Sequence, residues 1–153
     1  MASSASTKGA YLVSACLLGV SCRYDARQLK EVPECPLLRD AGCIIPVCPE
    51  QLGGLPTPRA AAEIVGGDGA GVLDGRCRVV NVEGVDVTEE FLRGAQEALL
   101  LARTFQAHTA VLKTRSPSCG FGWIYHGEDL VAGNGVTAEL LRRNGIRIVP
   151  WPE

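Results

Sequence analysis

The chain has little surplus of either charge: 15 Lys+Arg stand against 17 Asp+Glu over 153 residues, a formal net charge of −2. Proteins that hold nucleic acid or anionic membranes through their field concentrate basic residues, and that footprint is missing. No apolar run approaches the ~20 residues of a membrane-spanning helix. Met1 to Gly9 is small and polar, without the apolar centre of a secretory signal. Histidine is scarce, at 108 and 126 only, and no Cys-x-x-Cys pair occurs, so the closely paired ligands of most structural zinc sites are lacking. Gly66-Gly67-Asp68-Gly69 imitates a phosphate loop without the Gly-Lys-Ser/Thr ending, and reads as a turn. These absences predict a cytoplasmic protein with no membrane partner and no nucleic-acid partner.

Cysteine, by contrast, is plentiful: seven stand at 16, 22, 35, 43, 48, 77 and 119. An odd number without an export signal argues against a disulfide framework and for metal binding or catalysis. The plain alternative is that cysteine serves as a small buried hydrophobe. Cys35, Cys43 and Cys77 lie in ordinary strand or helix sequence and are assigned that role. Three others end short apolar runs: Tyr11-Leu12-Val13-Ser14-Ala15 before Cys16, Ile44-Ile45-Pro46-Val47 before Cys48, and Ala110-Val111-Leu112-Lys113 ahead of the Ser116-Pro117-Ser118-Cys119-Gly120 loop. Runs of this kind read as strands buried on both faces. Proline and glycine then stop the ladder and free the backbone.

Strands are expected over 10–15, 44–47, 110–113 and 146–149. Helices are expected over 34–40, over 88–106 behind an Asp86-x-x-Glu89 capping signal, and over 137–143 with Thr137 as N-cap. Residues 48–59, with three prolines and two glycines in twelve positions, are expected to be an irregular functional loop. Residues 63–65 and 76–82 form a hairpin-like excursion around a glycine-rich connection, and 123–128 a short extended piece. The pattern is α/β: a three-layer Rossmann-like domain over 10–153, with a small, mostly parallel sheet and an irregular hairpin-containing excursion, behind a flexible tail at 1–9. In such sheets ligands bind beyond the carboxyl ends of the strands. Parallel strands would therefore bring Cys16, Cys48 and Cys119 to one rim.

Three thiolates scattered over loops suit an iron–sulfur cluster with one open iron, whose chemistry is Lewis-acid catalysis. A closed zinc site would need Cys22 or His126 as well, and a Cys-His hydrolase has no histidine with a reason to lie beside a cysteine. Spacing alone leaves buried, inert cysteines open as a reading.

Several motifs stand in register. They are Ser14-Ala15-Cys16-Leu17-Leu18-Gly19, Arg23-Tyr24-Asp25, Val47-Cys48-Pro49-Glu50, Gly53-Gly54-Leu55-Pro56-Thr57-Pro58-Arg59 and Leu112 to Gly120. Over roughly residues 10 to 150 the chain resembles the 2-thiouracil desulfidase family. The resemblance implies a [4Fe-4S] cluster on Cys16, Cys48 and Cys119, and non-redox removal of sulfur from a small thiolated pyrimidine to give uracil and sulfide. It implies catalytic roles for Glu50, as activator of a water, and for Ser116. The thione sulfur is expected on the unique iron. Arg23, Arg59, Lys113 and Arg115 are candidates to hold a uracil carbonyl or to balance cluster charge, and each reads equally as a surface cation. Cys22 is the one extra thiol without an implied role. The competing readings are a structural zinc or iron module, an enzyme of the same chemistry acting on thiolated bases in RNA, and a nucleotide-binding fold with incidental cysteines. The oligomeric state stays open.

Overall fold

The computed structural model describes residues 8–152; the expected tail at 1–9 falls outside them except for Lys8 and Gly9. Four strands, β1 (Ala10–Ser14), β2 (Cys43–Val47), β5 (Thr109–Lys113) and β8 (Arg147–Trp151), form one wholly parallel sheet in the order β2-β1-β5-β8. Parallel neighbours require crossovers, and strand alternation sends successive side chains to opposite faces. Leu12, Ala110 and Leu112 face a core with Ala98, Leu99 and Ala102 of α4 (Thr88–Thr104) and Ala138 and Leu141 of α5 (Val136–Arg143). Val13 and Val111 point the other way, into a smaller core with Cys35 and with Leu37 and Leu38 of α1 (Pro36–Arg39). These are three layers, as the sequence pattern predicts. With α1 and α5 on opposite faces, the connections leaving β1 and β5 diverge, and a crevice opens between the carboxyl ends of these neighbours.

Two antiparallel hairpins lie outside the main sheet: β3 (Ala62–Val65) with β4 (Arg78–Asn81), and β6 (Trp123–His126) with β7 (Asp129–Ala132). The first carries the expected excursion, but its glycine-rich connection contains a helix, α3 (Gly69–Leu73), capped by the Asp68 carboxylate accepting from Gly71 N–H at 3.3 Å. Glycine is needed there for close approach: a Cβ on Gly71 would run into the Cys77 side chain. β7 is an addition, since its residues carry no alternation to mark them.

Other boundaries differ for identifiable reasons. The 48–59 loop opens with a helical turn, α2 (Pro49–Leu52), because proline is tolerated at the first helical position. Helix α5 starts at Val136, so Gly135 rather than Thr137 is its N-cap. Its first N–H groups bond to Pro117 and Ser118 carbonyls at 2.9 to 3.1 Å, so a distant loop does the capping. Thr137 is fully buried, and its hydroxyl has no hydrogen-bond partner among the described residues. No helix among the described residues is long and apolar enough to cross a membrane.

Candidate functional site

A cavity of about 380 Å³ opens at the carboxyl ends of β1, β2 and β5. All nine residues singled out from the sequence line it: Cys16, Cys48 and Cys119, Glu50 and Ser116, and Arg23, Arg59, Lys113 and Arg115. Neither histidine does.

Local backbone chemistry sets each thiol. Cys16 sits in a 3-10 turn over Ala15–Leu18 that leaves β1 and closes at Gly19, whose φ of +94° suits glycine. Cys48 is the N-cap of α2, directly after β2. Cys119 lies in the turn after β5: its N–H donates to Ser116 Oγ at 2.8 Å, and Gly120 N–H donates to the Ser116 carbonyl at 2.9 Å. The same turn supplies the carbonyls that cap α5, so Cys119 is held between sheet and helix.

Cys22, only 2% exposed, also lines the cavity, and its thiol interacts with those of both Cys16 and Cys48. That contact with Cys22 lowers the Cys16 pKa; Cys22 is pushed up chiefly by its interaction with Cys16, which that with Cys48 opposes, and Cys48 is pushed up chiefly by Cys22. Burial pushes Cys119 up to about 12, against hydrogen bonds from Ser14 and Ser118 that favour its thiolate. Four soft donors thus surround one space. Among the described residues, no three His, Cys, Asp or Glu side chains are gathered closely enough to hold a single metal ion. Donors spread around a cavity fit a polynuclear group better than one tetrahedral zinc.

Glu50 stands on α2 with both carboxylate oxygens engaged. Arg59 Nε donates to Oε1 at 3.0 Å and Ser118 Oγ to Oε2 at 2.9 Å. The guanidinium of Arg59 also donates to the carbonyls of Cys22 and Pro56 and to Thr57 Oγ1, at 2.9 to 3.2 Å. Arg59 is consequently committed to protein acceptors. Helix α2 is seated on α4 by backbone contact: a Cβ on Gly94 would collide with the Pro49 carbonyl, and one on Gly53 with that of Glu90.

The other cations, Arg23, Lys113 and Arg115, line the same cavity. Burial lowers the pKa of Lys113, with the charges of Arg23 and Arg115 adding to the effect and that of Cys16 opposing it. Lys113 Nζ donates to the Thr114 carbonyl at 3.1 Å. Arg23 lies 5.9 Å from the Tyr24 ring centroid. Arg115 has φ +72°, a left-handed turn that redirects the chain from β5 toward Ser116.

Two site residues were not singled out from the sequence. Ser118, not Ser116, touches Glu50; Ser116 Oγ is 3.4 Å from Ser118 Oγ. Ser14 is buried, accepts from Lys113 N–H at 2.9 Å and hydrogen-bonds Cys119. Each lies within two residues of a cysteine ligand candidate at a strand end, which is the signal that would have found them.

A model of the family described as 2-thiouracil desulfurase matches residues 11–151. The uncharacterised protein YbbK of Bacillus subtilis (strain 168) is 42% identical over 141 residues, covering 90% of this chain and 93% of that protein. A solved structure described as [4Fe-4S]-dependent thiouracil desulfidase TudS superposes with a TM-score of 0.79 at 43% identity, covering 94% of this chain and 91% of that one.

Proposed function

The chain belongs to the 2-thiouracil desulfurase family, and from that membership we propose that it is an enzyme removing sulfur from a small thiolated uracil. The observation that carries the reading is the convergence of Cys16, Cys48 and Cys119 with Glu50 on one cavity. Those three thiols would hold a [4Fe-4S] cluster: they are soft donors that line one cavity, and the similar TudS is described as [4Fe-4S]-dependent. When bound, such a group supplies a Lewis-acidic iron for a soft thione sulfur.

The protein's own part is water activation and orientation. Net reaction exchanges a thiocarbonyl for a carbonyl: water is consumed and hydrogen sulfide leaves. Glu50 takes a proton from the attacking water. Its oxygens each keep a lone pair after accepting from Arg59 and Ser118, so the carboxylate stays oriented while remaining a proton acceptor. Ser116 and Ser118, 3.4 Å apart, link that carboxylate toward the Cys119 turn and offer a path for the proton's return. Arg23, Lys113 and Arg115, which line the same cavity, hold polar groups of the substrate. Arg59 acts through Glu50. A cytoplasmic location accords with seven free cysteines.

The test is anaerobic reconstitution followed by iron, sulfide and zinc quantification, with turnover of 2-thiouracil and of thiolated RNA measured on the same sample. Cluster uptake with sulfide release from the free base is expected. Zinc alone without turnover would establish a structural module instead, and turnover confined to RNA would move the substrate to the polymer.

A further inference from the structure

The four cavity thiols are not equivalent. Cys16 and Cys22 belong to one small buried cluster, and Cys48 packs against it. Cys119 belongs to the large core beneath the sheet, among Leu112 and Ala138. The side-chain partners of Cys119 are hydroxyls, with Ser118 Oγ 3.8 Å from its sulfur, whereas Cys22 packs in one cluster with Cys16 and Cys48. The placement of Cys22 is also built rather than incidental. Its carbonyl receives the Arg59 guanidinium at 2.9 Å and lies 3.6 Å from Cys48 Sγ, and the neighbouring Tyr24 carbonyl accepts from Arg59 N–H at 2.8 Å. The guanidinium that orients Glu50 therefore also fixes the loop presenting this thiol.

We propose that Cys22 is a reserve ligand of the cluster site, able to replace Cys16 or Cys48 but not Cys119; this rests on the cluster reading above. Iron takes whichever soft thiolate lies within reach. Loss of Cys16 or Cys48 leaves Cys22, packed with both, beside the vacated position. Each thiol releases its proton on binding iron, so the exchange is one thiolate for one and the site's charge is unchanged. Loss of Cys119 leaves no spare thiol packed at its position, where the hydrogen-bonding side chains are the hydroxyls of Ser14 and Ser118. Such a reserve keeps three ligands available while a cluster is being inserted or repaired.

The experiment reads cluster content, not turnover. Cys16→Ala, Cys48→Ala, Cys119→Ala and Cys22→Ala, and the double variants Cys16→Ala/Cys22→Ala and Cys48→Ala/Cys22→Ala, are reconstituted anaerobically. Alanine offers iron no donor, and far-ultraviolet circular dichroism identifies any variant that has not folded. Iron and sulfide per folded chain and the electron paramagnetic resonance of the reduced sample are then measured. Wild type and Cys22→Ala are expected to load fully. Cys16→Ala and Cys48→Ala should keep most of their iron and sulfide with a shifted resonance, both doubles should lose it, and Cys119→Ala should lose it with Cys22 intact. Loss in Cys16→Ala and Cys48→Ala as complete as in Cys119→Ala, with wild type loaded, overturns the reserve role alone. A wild type that takes up neither iron nor sulfide overturns the cluster reading, and this proposal with it.

Discussion

Arg59 and Glu50 form an ion pair at 3.0 Å with only 5% and 15% of their side chains exposed. The base of the proposed reaction and the cation that aims it are thus both withdrawn from bulk water, and the same cation anchors the loop of Cys22. Removing one partner of a buried pair strands the other charge, at a cost of roughly 3–5 kcal/mol. Arg59→Ala should accordingly lower thermal stability markedly and reduce turnover. Glu50→Gln keeps the shape and should load with iron and sulfide normally while losing turnover. Thermal melts and cluster quantification check both, and normal turnover in Glu50→Gln would remove it as the base.

Ser118 and Ser116 separate by role. Ser118→Ala removes the donor to Glu50 Oε2, and its expected signature is a fall in kcat of about 100-fold that far exceeds any loss of iron from removing its 3.8 Å contact with Cys119. Ser116→Ala removes the acceptor for the Cys119 N–H, so it should also weaken cluster retention. Measuring iron beside kcat distinguishes the two. Equal effects on both quantities would contradict the assignment.

Gly94 carries a prediction far from any chemistry. Alanine is the better helix former by ~1 kcal/mol, yet its Cβ would meet the Pro49 carbonyl, where backbone cannot give way cheaply. Steric displacement wins: Gly94→Ala should destabilise by about 2 kcal/mol. It should also slow turnover, because α2 carries Glu50. Stability equal to wild type in a denaturant titration would show that the α2–α4 contact is looser than described.

Glu139 sets an acid limit. The Arg142 guanidinium, with Asn134 and Arg143, holds its carboxyl down to about 2 although burial opposes this. A depressed carboxylate contributes stability that is fully present above its ordinary pKa of ~4.3 and lost as pH falls through the folded value. The window is therefore pH ~4.3 down to about 2, and the contribution is on the order of 3 kcal/mol for a side chain 6% exposed. Glu139→Gln should flatten the pH dependence of the melting temperature across that window and lower stability near neutrality. An unchanged acid slope would assign the acid limit to other groups.

Much of this was legible in the chain. The apolar runs ending at Ala15 and Lys113 mark strands because residues buried on both faces must be apolar throughout. The run ending at Val47 is also a strand, but an edge one, with Ile44 exposed and Cys43 exposed rather than buried as expected. Turn residues after each mark where the ladder stops. Parallel connection then requires Cys16, Cys48 and Cys119 to share a rim, whatever the packing detail. The motif register around these positions carried the family and, with it, Glu50 and Ser116.

Tertiary structure alone decided how those groups face one another. Ser118 outranks Ser116 as the partner of Glu50 because the turn backbone consumes the Ser116 hydroxyl, a choice made by hydrogen-bond geometry among residues 68 positions apart in the chain. Arg59 became a clamp on Glu50 and the Cys22 loop because four acceptors converge on its fork. Thr137 lost its capping role because the loop around Pro117 reached the helix start first. Period and turn chemistry act over a few neighbours and can be read locally, whereas partner choice depends on which distant groups packing brings within 3 Å of one another, as it does Glu50 and Ser118.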